Sequence, residues 1–162
     1  EHFEPTFLEH YKHGLSQKMG LPSFHKDSFD CAMAFLRILQ SEQLDYTQSF
    51  IRLQNKEYEV LKDDSLDRFQ FENFLAQYQA IRNGQDLAKL DAEMQKVNPH
   101  YILRNHMAQK AIELAERNDF SEVERLFQLL NQPFIKQTDL EKLEDLAPLP
   151  SDVPEVMVSC SS

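Results

Sequence analysis

The sequence of 162 residues is poor in glycine, cysteine and tryptophan. It has three glycines, none of them in a G-x-G or G-x-x-x-x-G-K-[ST] pattern. Because the backbone approaches a phosphate group closely only where glycine leaves room, this scarcity argues against a phosphate-binding loop within the chain. Two cysteines are too few for a disulfide framework, so we expect a reducing, cytoplasmic environment.

Positive charge is also scarce, with 17 Lys and Arg residues against 27 Asp and Glu residues and a net charge of -10. Such a surface repels phosphate backbones and anionic headgroups, so nucleic acids and membranes are poor partner hypotheses. No apolar run approaches the roughly 20 residues that span a bilayer. The 41% of apolar residues suffice for a core, and the length suits one compact, soluble domain.

Apolar residues recur at helical spacing through most of the chain. The clearest helix runs from Phe71 to Ile81 and is followed by Gly84 as a stop signal. Similar patterns predict helices after Pro5, after Asp27 as N-cap, after Asp45, over residues 86–97, after Asn98-Pro99, and after capping boxes at Ser121/Glu124 and Thr138/Glu141. We expect residues 55–67 to be mostly loop. No segment alternates like a β-strand, so the sequence predicts an all-α, antiparallel multi-helix array.

Three predicted helices have apolar faces that we expect to be buried. These faces are Phe7, Leu8, Tyr11, Leu15 and Met19; Leu103, Met107, Ala111 and Ala115; and Val123, Leu126, Phe127 and Leu130. From Ala147 onward, Pro148, Pro150 and Pro154 exclude a continuous helix. We therefore divide the chain into a helical domain, residues 1–146, and an extended tail, residues 147–162, that ends in Ser-Cys-Ser-Ser.

The two cysteines have different predicted roles. Cys31 lies on or beside an apolar helix face, where a small buried hydrophobe is the usual role. Cys160 lies in the extended tail, where a thiol can be exposed and reach a distant partner. An ordinary terminal thiol without a special function is an equally good interpretation of Cys160.

Other polar residues permit more than one interpretation. His10 and His13 are spaced to share a metal ion, but no third ligand is indicated, and surface histidines explain them more simply. Asp63, Asp64, Glu141, Glu144 and Asp145 are most simply a solvated acidic surface. Arg104 and Asn105 interrupt an apolar run, so they need polar partners, either helix ends within the domain or a missing neighbouring domain.

Several segments together resemble the C-terminal region of the selenoprotein O family, also called YdiU. They are Lys18-Met19-Gly20-Leu21, Leu44-Asp45-Tyr46-Thr47, the block from Asn98 to Ile112, the block from Ala115 to Val123, and the terminal Val158-Ser159-Cys160-Ser161-Ser162. The chain departs from the family pattern at His106 and at Leu149-Pro150-Ser151-Asp152, where tryptophan-containing elements are expected.

This resemblance implies a longer, bacterial, cytoplasmic protein. Family members resemble protein kinases in fold and transfer AMP from ATP to Ser, Thr or Tyr hydroxyls of other proteins, with Mg or Mn as cofactor. The resemblance places the nucleotide and metal ligands in an upstream kinase-like domain, so we expect no catalytic, cofactor-binding or metal-binding residue in this chain. It makes Asn98, Arg104 and Asn105 candidates for interdomain contact. It also favours a redox role for Cys160, in which this residue forms a disulfide with a cysteine of the catalytic region.

Three hypotheses follow from the sequence. The first is a helical region that supports an adenylyltransferase and has the upstream kinase-like domain and the enzyme's protein substrates as partners. The second is a free-standing helical interaction module whose apolar grooves hold a partner helix. The third, a helical metalloenzyme that uses His10 and His13, has the least support.

Overall fold

The computed structural model describes residues 3–23 and 25–146, and within these ranges the chain forms helices and no β-strand. This confirms the all-α prediction. In chain order the helices are α1 (Phe3–Met19), α2 (Ser28–Ser41), α3 (Tyr46–Gln54), α4 (Tyr58–Asp64), α5 (Arg68–Arg82), α6 (Leu87–Val97), α7 (Asn105–Ala115), α8 (Ser121–Asn131) and α9 (Leu143–Leu146). None of these helices is both long and apolar enough to cross a membrane.

The chain divides into two compact units, Glu1–Asn98 and Pro99–Ser162. The boundary lies inside the range 1–146 that the sequence groups as one helical domain. The tail, residues 147–162, with Cys160, lies outside the described residues. We describe each unit by itself.

Aspartate side chains begin three helices of the first unit. Asp45, Asp67 and Asp86 each accept a hydrogen bond from the backbone N–H three residues later, at 2.8, 2.9 and 3.1 Å. Such caps satisfy amide groups that have no partner within the helix. Asp27 also precedes a helix, but its side chain makes no capping hydrogen bond.

The core of the first unit is rich in aromatic rings. The ring of Phe35 stacks on Phe74 at 4.9 Å and meets the edge of Phe50 at 5.3 Å. The larger set of buried core residues includes Leu15, Met19, Cys31, Ala32, Ile38, Leu39, Leu53, Leu61, Phe71, Tyr78, Ile81 and Met94. The predicted helix from Phe71 to Ile81 is therefore confirmed, and it supplies the centre of this core.

Two predictions for the first unit are wrong. Residues 58–64 form α4 instead of a loop, because the fully buried Leu61 inserts into the core and compensates for the charged residues around it. On α1, Leu15 and Met19 are buried as predicted, but Phe7, Leu8 and Tyr11 are exposed. The first half of α1 therefore extends past the core that covers its second half.

In the second unit, the helix expected after Asn98-Pro99 begins only at Asn105. The backbone N–H of His100 donates to the carbonyl of Pro133 at 2.7 Å, and the buried Tyr101 fixes the same segment. The Tyr101 hydroxyl accepts from the N–H of Gln137 at 2.8 Å and donates to the Glu141 carboxylate at 2.6 Å. These contacts hold residues 99–104 out of the helix.

The predicted face of α8 is also partly wrong. Leu126 and Leu129 are buried with Met107 and Ala111 of α7, whereas Val123 and Phe127 are exposed. Ser121 does not cap this helix, because it is the first helical residue and its N–H donates to Asp119 at 3.0 Å. Because the buried face of α8 differs from the predicted one, Glu122 lies on the buried side of the helix.

Candidate interdomain contact residues and charged clusters

Asn98 joins the ends of α1 and α6. Its side-chain N–H donates to the carbonyl of Lys18 at 2.8 Å, and the ammonium of Lys18 donates to the carbonyl of Val97 at 3.3 Å. Asn98 is buried, and its side-chain oxygen accepts no hydrogen bond from the described residues. Burial lowers the pKa of Lys18, whose ammonium also lies 4.9 Å from the centre of the Phe50 ring.

Arg82 connects the same end of α1 to α5 and α6. Its guanidinium donates to the carbonyl of Gly20 at 2.8 Å and to the hydroxyl of Tyr78 at 2.9 Å, and it pairs with Asp91. Lys56 binds the other oxygen of Asp91 at 2.8 Å. Burial of Asp91 acts to raise its pKa, but the hydrogen bonds from Lys56 and Arg82 outweigh burial and the pKa is lowered.

Gly20 allows this close approach. It has a positive φ of 60°, and an added Cβ would lie 2.3 Å from the sulfur of Met94 and 2.4 Å from the Arg82 guanidinium. Both the backbone conformation and the lack of space therefore require glycine here. This explains the glycine of the Lys18-Met19-Gly20-Leu21 segment.

Arg104 and Asn105 lie at the start of α7 in the second unit, whereas Asn98 belongs to the first unit. The Arg104 guanidinium donates to the carbonyl of Leu146 at 3.3 Å. The neighbouring His106 ring is 2.9 Å from the carbonyl of Glu144, and Asn105 is exposed. The structure thus gives Arg104 a helix-end partner within its own unit and leaves Asn105 accessible.

A charged cluster connects α8 to α9: the buried Glu122 and Asp145 with the more exposed Arg125 and Lys142. The guanidinium of Arg125 makes paired hydrogen bonds to Asp145 at 2.7 and 2.9 Å and to Glu122 at 2.6 and 3.1 Å. The side-chain ammonium of Lys142 binds Glu122 at 2.5 Å, and the backbone N–H of Lys142 donates to Asp145 at 2.7 Å. The side chain of Asp145 is fully buried, which contradicts its assignment to a solvated acidic surface.

Charge pairing dominates the electrostatics of this cluster. Hydrogen bonds from Arg125 lower the pKa of Glu122 to about 2 against the opposing effect of burial, and Lys142 adds to the lowering. The hydrogen bonds to Asp145 and Glu122 raise the pKa of Arg125 above its ordinary value. The sequence contains a partial signal, since Glu122 and Arg125 are three residues apart on one helix, but nothing in it indicates Lys142 and Asp145 as the other two members.

The remaining sequence candidates lie apart from these clusters. His10 and His13 are exposed, and the His13 ring contacts the hydroxyl of Ser23 at 2.9 Å. Cys31 is fully buried in the core, as predicted, and burial raises the pKa of its thiol to about 12, so this cysteine is unreactive.

Within residues 3–23 and 25–146, no three His, Cys, Asp or Glu side chains are grouped to hold a metal ion. The carboxylates of Asp91, Glu122 and Asp145 already bind arginine or lysine. A cavity of about 430 Å³ beside His13, Asp86 and Lys89 has a mixed lining without a basic cluster for phosphates.

The fold and these contacts define an all-helical segment whose buried charges link its helices. A family model described as Protein adenylyltransferase SelO matches residues 1–143. The chain belongs to this family.

Three curated relatives are each named Protein nucleotidyltransferase YdiU. The proteins from Pectobacterium atrosepticum and Herminiimonas arsenicoxydans are both 38% identical, over 167 and 170 residues, and cover 99% of this chain. The Pseudomonas fluorescens protein is 36% identical over 169 residues, with the same coverage. The chain spans about a third of the length of these relatives, 34%, 33% and 34% respectively.

Proposed function

We propose that this chain is the C-terminal helical region of a protein adenylyltransferase, an enzyme that transfers AMP from ATP to Ser, Thr or Tyr hydroxyls of proteins. The family match over residues 1–143 carries this proposal. The match to only about a third of each relative is consistent with a segment that accompanies a larger catalytic region.

In this proposal the segment supports the catalytic region and does not itself hold ATP or its Mg or Mn ion. Its three glycines support this role, because Gly14 lies inside α1, Gly20 ends that helix, and Gly84 follows α5. Gly84 lies in the short loop before α6, but the Asp86 carboxylate already accepts a hydrogen bond from the N–H of Lys89 there, so this helix end does not favour a phosphate. The ATP and metal ligands belong to the kinase-like part of the protein.

Asn98, Arg104 and Asn105 are the proposed contacts to that catalytic region. The buried side-chain oxygen of Asn98 supports its assignment, because a buried acceptor is normally satisfied by a donor. Asn105 is exposed at the start of α7, so its side chain is accessible to another region of the protein.

Cys160 is the proposed redox residue. On oxidation by a peroxide, its thiol and a thiol of the catalytic region would form one S–S bond, and the two electrons and two protons would reduce the peroxide. We expect Cys160→Ser to remove the response of the longer enzyme to peroxide while the helical region keeps its fold. Equal responses of the variant and the parent would contradict this role.

A chimera tests the function. Residues 1–162 of this chain replace the matching third of the Pectobacterium atrosepticum protein, and transfer of labelled AMP to protein is measured. We expect transfer by the chimera and none by the isolated chain. Transfer by the isolated chain at a comparable rate would refute the proposed supporting role.

A second candidate function, a helical interaction module, has one observation in its favour. Phe120, Val123 and Phe127 lie at the start of α8 or on it and are exposed, at helical spacing. Such a face can bind an amphipathic helix of another protein. Selective binding of an unrelated helical partner, combined with an inactive chimera, would favour this function.

A further inference from the structure

Three aromatic side chains form a ridge on α1, which we call the α1 ridge: Phe3, Phe7 and Tyr11. They are spaced four residues apart, so they lie on one face of the helix. The Phe3 and Phe7 rings stack at 6.0 Å, and the Phe7 and Tyr11 rings stack at the same distance. These residues are 82%, 57% and 41% exposed, which makes the ridge a continuous apolar surface.

The α1 ridge is connected to the core of the first unit. The Tyr11 ring meets the ring of Phe29 edge-on at 6.1 Å, and Phe29 packs against the buried core. The ammonium of Lys12 lies 5.0 Å from the centre of the same Phe29 ring. These contacts fix the inner end of the ridge, so the ridge presents a defined surface to a partner.

The described residues do not cover this part of α1. Every residue from 3 to 13 is exposed, although the helix continues without interruption to Met19. A helical stretch of this length is marginal in water without tertiary contacts. Contiguous exposed aromatic residues bordered by polar ones, here Glu4 and Glu9, are typical of protein interfaces.

A large further region of the protein is the occupant for which the ridge is suited. The family match begins at residue 1, so the α1 ridge lies inside the region shared with the family. The Pectobacterium atrosepticum relative is about three times as long as this match, which covers 34% of it. The other two-thirds of such a protein is a region that can pack against this segment, and aromatic side chains are enriched at the cores of protein interfaces.

We propose, on the basis of the proposed function, that the α1 ridge is the docking surface for the kinase-like catalytic region. Phe7 lies at the centre of the ridge and is its main anchor. In the assembled protein the three rings are covered, and the first half of α1 is held by contacts to that region. The catalytic chemistry itself does not involve the ridge.

Hydrogen exchange tests this docking in the chimera described above. We expect amides of residues 4–12 to exchange at least about tenfold more slowly in the chimera than in the isolated chain. Phe7→Glu should abolish the slowing in the chimera, and it should leave the unfolding temperature of the isolated chain almost unchanged. Phe69→Glu is the matched control, because Phe69 lies on α5 and is 73% exposed.

Three results would overturn the proposal. The first is equal exchange of residues 4–12 in the chimera and the isolated chain. The second is an equal effect of Phe7→Glu and Phe69→Glu on the chimera. The third is a dimer of the isolated chain that Phe7→Glu dissociates, measured by sedimentation, because a second copy would then occupy the ridge.

Two further measurements test the docking surface if the chimera does not fold and separate it from the proposed function. If the chimera fails to fold, exchange is measured on the intact Pectobacterium atrosepticum protein, in the segment that aligns with residues 4–12, and fast exchange there overturns the proposal. AMP transfer is assayed separately. If the chimera is inactive but its α1 ridge is protected, the proposed function is refuted and the docking surface is supported. If the chimera is active but its α1 ridge is unprotected, the proposed function is supported and the docking surface is refuted.

Discussion

Replacement of Asp145 by Asn should selectively destabilise the second unit. The Asp145 carboxylate is fully buried and receives two hydrogen bonds from Arg125 and one from the N–H of Lys142. Asn has nearly the same shape, so the substitution leaves no cavity. It removes the negative charge and points an N–H group at the guanidinium or at the Lys142 N–H.

The expected cost is large for a unit of this size. Loss of one charge-assisted hydrogen bond costs about 1.5–3 kcal/mol. Breaking a buried ion pair by removal of one partner costs about 3–5 kcal/mol, because the other charge stays buried. Arg125 keeps Glu122 as a partner, so we expect the lower part of that range, about 3 kcal/mol.

Hydrogen exchange during urea unfolding measures this effect for each unit separately. We expect amides of α8 to lose protection at lower urea in the variant, while amides of α5 are unchanged, because Asp145 belongs to the second unit. Asp139→Asn is the control, since Asp139 is exposed in the same region. A loss below about 1 kcal/mol for Asp145→Asn, or an equal loss for the control, would refute the reasoning.

Three other predictions concern single residues. Gly20→Ala should destabilise the first unit by about 2 kcal/mol, because Gly20 has a φ of 60° and no space for a Cβ. Gly14→Ala is the control in thermal unfolding, and it should not destabilise the unit because Gly14 lies in open space. Leu61→Ala should cost about 2–5 kcal/mol in urea unfolding, since this side chain is fully buried; an equal loss from Val60→Ala, at a 43% exposed position, would contradict this. The folded pKa of Glu122 is about 2, below its ordinary 4.5, so its stabilisation is complete above pH 4.5 and declines as the pH falls toward 2. Glu122→Gln should reduce that decline in acid titrations of stability, and an unchanged decline would exclude Glu122 as its source.

Local signals predicted the helices well where side chain and backbone act within a few residues. Asp45 begins α3 as predicted, through a contact three residues away, and Asp67 and Asp86, which were not predicted as caps, begin α5 and α6 in the same local way. The helix expected at Pro99 fails for a non-local reason. The carbonyl of Pro133 binds the backbone of His100, more than 30 residues earlier in the chain, and competes with helix formation.

The candidate site residues also divide into those that local sequence signals indicate and those that only distant contacts determine. The sequence indicated that Cys31 is buried and that Arg104 and Asn105 need polar partners, because polarity and periodicity are properties of the residues. It assigned Asp145 to the surface, since nothing near Asp145 in the chain indicates Arg125 as its partner. Ionic contacts between distant residues depend on how helices pack.

The sequence by itself determined the helical class, the starts of α2, α3, α6 and α8, and the family, because these depend on spacing and residue type. Tertiary structure decided which faces are buried: α1 leaves Phe7 and Tyr11 uncovered, and α8 turns Glu122 inward and Phe127 outward. Several faces of such helices are apolar enough to pack, and the choice among them depends on the shapes and charges of the neighbouring helices.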